Sequence, residues 1–207
     1  MQNASAQSAP ATNSSALDLN HFLVKEHVGM FKAANNYDIF DPNSGETILH
    51  CREDKLGFFT KLLRFTDYKR MTPFHVEIKT PNGETLIHVK RGISFFISRV
   101  EVFDAQGQLL GLFKQKLFSI GGAFDIYDPS GNVVCSLKGK WTGWDFRFLQ
   151  GNQELAHVSK KWAGAGKELF TSADNYMLEI NQIVQSGSTT RKLIMAAVMC
   201  IDMVLKE

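Results

Sequence analysis

Three sets of side chains in this sequence could act on another molecule: six histidines, three cysteines, and lysines that recur at a fixed spacing. A catalytic metal centre needs ligands at characteristic intervals, but the histidines are dispersed, with no HxH pair and no HExxH. No metal site is expected from them. A thiol nucleophile needs a base within reach, yet His50 and Cys51 are adjacent, and adjacent residues on a strand point to opposite faces. Gly121-Gly122 lacks the strand-to-helix context of a phosphate loop and reads as a turn. With no nucleophile, base or cofactor motif, the chain does not read as an enzyme.

The lysines carry more information. Lys90, Lys114 and Lys138 each stand seven residues after a glycine (Gly83, Gly107, Gly131). Lys116 and Lys140 follow two residues later in the second and third copies. Lys161 aligns behind them, because Lys160-Lys161-Trp162 matches Gly139-Lys140-Trp141. Residues two apart on a strand share a face, so these six lysines should form a basic stripe on the outside of successive units. Leu117, Trp141 and Trp162 should then point inward. Each lysine near an anionic membrane adds about 1 kcal/mol of attraction. The plainer reading is that outward lysines keep strands soluble and block edge pairing.

The elements that hold these lysines are hairpins. Ile78–Glu84, Val102–Gln108 and Ile126–Asn132 are each a turn between apolar runs, and their glycines are 24 residues apart. A glycine after Asn, Gln or Ser in such a turn takes the positive φ that a tight hairpin requires. A fixed period means one structural unit used repeatedly. A further copy spans Tyr37 to Leu49 with a turn one residue longer, and a degenerate copy spans Phe146 to Val158. Phe22 to Lys32 reads as two short strands turning at Gly29. Glu53 to Phe65 interrupts the pattern with Leu56, Phe59, Leu62 and Leu63 at helical spacing. The total of roughly ten to twelve strands must close or split into two sheets to avoid exposed edges.

The C-terminal segment favours closure. Leu193 to Leu205 is apolar around every face of a helix except at Asp202, and such a helix must be buried or in a membrane. Thirteen residues reach about 20 Å, against about 30 Å of bilayer hydrocarbon, so enclosure is favoured over a transmembrane span. Asp202 then reads as a carboxylate near one barrel mouth, paired with Lys or Arg. An eleven-stranded barrel can hold a central helix, and one of about twelve strands leaves room for this one.

Composition sets the remaining limits. Of 207 residues 44% are hydrophobic and 21% charged, and the formal charge of +2 does not indicate a nucleic-acid partner. Cys51, Cys135 and Cys200 are an odd number in no paired or metal-ligand spacing. They read as reduced and buried, which suits a cytoplasmic protein, peripheral to a membrane if it meets one. Met1 to Leu19 has neither the basic start nor the apolar stretch of a signal peptide and reads as disordered. The expected organisation is a tail over 1–20 and one barrel domain over 21–207, with its central helix at about 191–205.

Several motifs resemble a known family. Arg70-Met71-Thr72-Pro73-Phe74 with the hairpin running to Lys90-Arg91 is similar to the core of phospholipid scramblases. Lys161-Trp162-Ala163-Gly164, Phe170-Thr171, Ala173-Asp174-Asn175-Tyr176 and Ala197 to Asp202 resemble that family's C-terminal end. Gln115 to Ile120 and Phe124 to Pro129 are similar to the LURP-one-related proteins, a sister group. The resemblance implies the mainly β Tubby-like fold, a closed antiparallel barrel of about twelve strands around a hydrophobic C-terminal helix. It also implies a phospholipid or phosphoinositide ligand at a membrane surface, with lipid scrambling as the stronger form. A Pro-rich N-terminal region and a cysteine cluster for palmitoylation are absent, so no lipid anchor is implied. The family's acidic calcium loop is degraded: Ser172, Asp174, Asn175 and Glu179 offer at most two carboxylates, too few for calcium. No cofactor is expected. The alternative is a soluble scaffold or regulatory module whose protein partner the sequence does not name.

Overall fold

The computed structural model describes residues 15–27, 36–53, 72–93, 99–115, 123–140, 144–160 and 175–205, with the backbone alone at 15, 140 and 202–205. These residues form twelve strands and a C-terminal helix. In chain order the strands are β1 (His21–Glu26), β2 (Tyr37–Phe40), β3 (Thr47–Glu53), β4 (Phe74–Lys79), β5 (Thr85–Arg91) and β6 (Arg99–Asp104). They continue with β7 (Leu109–Gln115), β8 (Ala123–Tyr127), β9 (Val133–Lys140), β10 (Asp145–Gln150), β11 (Gln153–Ser159) and β12 (Asn175–Ile180). The helix, α1, is Thr189–Leu205. Each strand pairs antiparallel with its sequence neighbours, and β1 pairs with β12 to close the barrel.

The 24-residue repeat is one hairpin device used three times. Gly83, Gly107 and Gly131 have φ of +88°, +81° and +86°. Their amides donate to the carbonyls of Thr80, Asp104 and Asp128 at 2.9, 3.1 and 3.0 Å. The ladder slips by one residue just before each turn, at Ile78/Lys79, Val102/Phe103 and Ile126/Tyr127. The extra residue is Leu86, Leu110 or Val134, on the strand that follows the turn, and such bulges add the twist a barrel needs. The degenerate copy also slips, between Phe148 and Leu149, but its turn is shorter, with Gln150 pairing Gln153 around Gly151, φ +59°.

Alternation fills the interior. Phe74, Val76 and Ile78 of β4, Val100 and Val102 of β6, and Phe146 and Phe148 of β10 all point inward and are at most 4% exposed. They meet α1, whose residues Leu193 to Ile201 are buried around the whole circumference. The helix begins where Ser188 Oγ accepts from the Arg191 amide, an N-cap arrangement. Closest approach falls at β7, where Gly111 faces Leu193. A Cβ there would lie 2.3 Å from the Tyr127 carbonyl oxygen and 3.0 Å from Leu193 Cδ2.

Part of the segment expected as tail, before the boundary at residue 20, is structured. Ser15–Asp18 is a 3-10 turn, and Leu17 is 5% exposed within the core. The cause is Arg191 in the first turn of α1, whose guanidinium donates to the carbonyls of Leu17, Leu19 and Val184 and to Asn20 Oδ1. Three carbonyls, two of them in buried contacts, are satisfied by one charged group, which ties the N-terminal segment to the helix across the barrel mouth. Residues 1–14, the expected turn at Gly29 and nearly all of the helix expected over Glu53 to Phe65 lie outside the described residues, as does the Asp202 side chain.

Replacing Gly111 by Ala is expected to destabilise the fold by about 1–3 kcal/mol, because a methyl group has no room between β8 and the helix. Thermal unfolding followed by circular dichroism should fall by roughly 2–10 °C for a chain of this size. An unchanged midpoint would contradict the close helix–wall packing.

Candidate functional site on the outer wall

Because the interior is largely filled by α1, most polar side chains of the described strands lie on the outside of the barrel, Arg91 and Asn175 being buried exceptions. Outward positions of β2 to β5 hold a dense set of charges. Asp38 on β2 is the centre of one cluster. His27 Nε2 lies 2.6 Å from its Oδ2, His50 Nδ1 lies 2.7 Å from its Oδ1, and Arg52 Nη2 also donates to Oδ1. Burial would raise the Asp38 carboxyl, but hydrogen bonds from Arg52, His50 and His27 outweigh it and hold the group at about 2. Arg52 also donates to the carbonyls of Tyr37 and Cys51, which fixes the fork against the sheet.

A second cluster lies next to it, since Arg52 is opposite Glu77 and Glu77 is opposite His88. His75 and Glu77 occupy the same face of β4 two residues apart, with Lys79 Nζ 2.6 Å from Glu77 Oε2. A third cluster occurs at β10 and β11, where His157 Nε2 is 2.8 Å from Asp145 Oδ1 and Arg147 Nη1 is 2.9 Å from Glu154 Oε2. The hydrogen bond from His157 holds the Asp145 carboxyl low.

The predicted basic residues occupy this same outer face. Lys90 on β5, Lys114 on β7 and Lys138 on β9 are exposed. Lys116, Lys161 and the side chain of Lys140 lie outside the described residues, as do Leu117, Trp141 and Trp162. The three described lysines do not share a ladder row. Lys90 faces Glu101, Glu101 faces Leu112, and Lys114 is two residues beyond Leu112. Lys114 faces Asp125, Asp125 faces Ser136, and Lys138 is two residues beyond that. This stagger is the shear that tilted barrel strands require.

The register also brings in neighbours that residue spacing did not reveal. Glu101 and Asp125 sit on the intervening strands, so acids alternate with the lysines. Arg99 lies directly opposite Lys114, and Arg147 directly opposite Lys138. Like charges in these positions repel. The arginines turn to acids, Arg99 Nη2 lying 3.0 Å from Glu101 Oε1. Among the described residues neither Lys114 nor Lys138 has a carboxylate within 4 Å of its amine. Lys90 Nζ lies 5.5 Å above the Phe103 ring.

The thiols are not part of this face. Cys51, Cys135 and Cys200 are unpaired and buried. Burial raises all three, Cys135 to about 12, so they remain protonated at neutral pH. Of the residues weighed for calcium in the sequence, Asn175 is buried on β12, while Ser172 and Asp174 lie outside the described residues. Glu179 faces outward between His21 and His157.

A model of the family described as Scramblase matches residues 15–207. The chain belongs to the Scramblase family. The match covers the whole barrel and α1, as the motif resemblance implied. The fold is similar to that of an Arabidopsis thaliana protein solved by X-ray crystallography. That likeness has a TM-score of 0.50 and 14% identity, covering 88% of this chain and 91% of the other. Comparison with curated proteins gives no significant match. This Scramblase-family barrel has the Tubby-like architecture expected, a closed twelve-stranded wall around one helix. Among the described residues no helix is long and apolar enough to cross a membrane.

The Asp38 cluster makes a prediction about acid stability. A folded value near 2 against about 3.9 in the unfolded chain means the native state favours the charged carboxylate. Its stabilisation is complete above about pH 4 and is lost as pH falls toward 2. Asp38→Asn should therefore flatten the fall of the unfolding midpoint between about pH 4.5 and 2.5. An equally steep fall in parent and variant would contradict the cluster.

Proposed function

We propose that this Scramblase-family barrel binds acidic phospholipid head groups, phosphoinositides among them, as a cytoplasmic protein that meets the membrane peripherally. Lys90, Lys114 and Lys138, with Lys116, Lys140 and Lys161 from the same repeat positions, supply the positive charge. No covalent chemistry is involved. Scrambling of lipid between leaflets is the stronger form of this reading, and family membership is what supports it.

The observation that carries the reading is the pair of like-charged ladder neighbours, Lys114 opposite Arg99 and Lys138 opposite Arg147. Solubility alone would be served as well by one cation and one neutral residue, at lower electrostatic cost. Arg99 and Arg147 turn to Glu101 and Glu154, so a phosphate takes its charge-assisted hydrogen bonds chiefly from Lys114 and Lys138. The interleaved Glu101 and Asp125 keep the net charge low, so attraction depends on close contact rather than on long-range steering.

Vesicle co-sedimentation tests this directly. The protein should sediment with phosphatidylcholine vesicles containing phosphatidylinositol bisphosphate, and far less with phosphatidylcholine alone. Lys114→Glu combined with Lys138→Glu should weaken partitioning at least tenfold, given about 1 kcal/mol per surface cation. Equal sedimentation of parent and double variant would contradict the assignment.

A further inference from the structure

The second cluster on the wall has the composition and dimensions of a metal site. His75 and Glu77 alternate on β4, and His88 lies opposite Glu77 on β5. One ligand atom from each lies within 4.8 Å of the others, and all three residues are partly exposed. Two of the separations are known closely. His75 Nε2 is 3.3 Å from His88 Nδ1, and His88 Nδ1 is 3.3 Å from Glu77 Oε1. Ligands bonded at about 2.0–2.1 Å to a tetrahedral zinc are separated by about 3.3–3.4 Å. Both measured edges therefore already have the length that a bound cation would impose.

The surroundings suit this use. Lys79 Nζ holds Glu77 Oε2 at 2.6 Å, which orients the carboxylate and leaves Oε1 facing the imidazoles. A hydrogen bond of this kind fixes the geometry of a ligating carboxylate, against the electrostatic cost of an ammonium close to the cation. Of the neighbouring cations, Lys90 lies over the Phe103 ring and Arg52 is drawn to Asp38, while Lys79 stays at the cluster, paired with Glu77 through Oε2. The two histidine rings have centroids 5.4 Å apart and planes 28° apart, and the β4–β5 register places both on the outer face with Glu77. Side chains on paired strands move little relative to each other, so little ordering is needed on binding.

The geometry points to a binding site for a zinc-class divalent cation, formed by His75 Nε2, Glu77 Oε1 and His88 Nδ1. Two imidazoles and one carboxylate suit zinc or a similar first-row ion rather than calcium or magnesium, which prefer oxygen alone. Three protein ligands leave the fourth position open to water or to an anionic oxygen. Sequence position and ligand chemistry distinguish these residues from the acidic loop that the resemblance assigns to calcium, since His75 and His88 supply imidazole nitrogens. The ligands escaped the search for HxH because one partner is a glutamate and the other arrives across the hairpin. His75-Val76-Glu77 together with the turn at Gly83 is the signal, since the turn sets which residue of β5 faces Glu77.

The experiment uses the full chain stripped of metal with a chelator. Titration with Zn²⁺ by calorimetry should saturate at one equivalent, and Co²⁺ should give the intense visible bands of tetrahedral coordination. His75→Gln with His88→Gln should weaken Zn²⁺ binding at least tenfold and abolish those bands. His27→Gln with His50→Gln, which removes the neighbouring histidines on Asp38, should leave both intact. Should the first variant fail to fold, ¹⁵N spectra of the parent protein decide: one equivalent of Zn²⁺ should shift His75 Nε2 and His88 Nδ1. No saturable binding, binding unchanged in the His75/His88 variant, or shifts confined to other histidines would each overturn the site.

Discussion

The enclosure of α1 is the constraint on which the rest of the molecule depends. Nine successive residues, Leu193 to Ile201, are buried, so apolar side chains leave the helix in every direction and need a partner in every direction. A flat sheet covers one side only. Twelve strands about 4.8 Å apart and tilted by about 35–45° close at a radius of about 11–13 Å. One interdigitated layer of side chains between packed elements takes about 10 Å. The wall is therefore the right distance from the axis for inward Phe, Val and Ile to meet the helix on all sides. Gly111 marks the place where that distance is shortest.

Filling the interior moves function to the exterior. The space between helix and wall is a narrow apolar gap lined by residues such as Val100, Phe113 and Ile201, with no polar group to orient a ligand. The outside is polar and organised by the same repeat that builds the wall. Each hairpin presents outward residues on two strands, and shear displaces the next hairpin by two residues. Cations on odd strands thus come to face acids or other cations on even strands in a fixed order. The like-charged pairs at Lys114 and Lys138, the Asp38 cluster and the His75–Glu77–His88 triad are all products of that register.

Much of this architecture could be read from the residues, because its causes are local or periodic. The glycine period identified the hairpins, and the length and apolarity of the last segment argued for a closed wall around it. What escaped depends on contacts distant in sequence. The Ser15–Asp18 turn looks like tail until Arg191, more than 170 positions away, claims the carbonyls of Leu17 and Leu19. The lysine positions were legible from spacing, but their alternation with Glu101 and Asp125 and their opposition to Arg99 and Arg147 require ladder register. The histidines appeared scattered for the same reason: His75 and His88 are thirteen residues apart in sequence and 3.3 Å apart in space.

The central claim is that the barrel stays closed around its helix while its outer wall meets the membrane. Hydrogen–deuterium exchange of α1, measured with and without vesicles containing phosphatidylinositol bisphosphate, tests it most directly. The amides of Leu193 to Ile201 should show the slowest exchange in the chain, and protection should persist when the protein is bound to vesicles. Loss of that protection on binding would mean that the helix leaves the barrel for the bilayer, which contradicts the account.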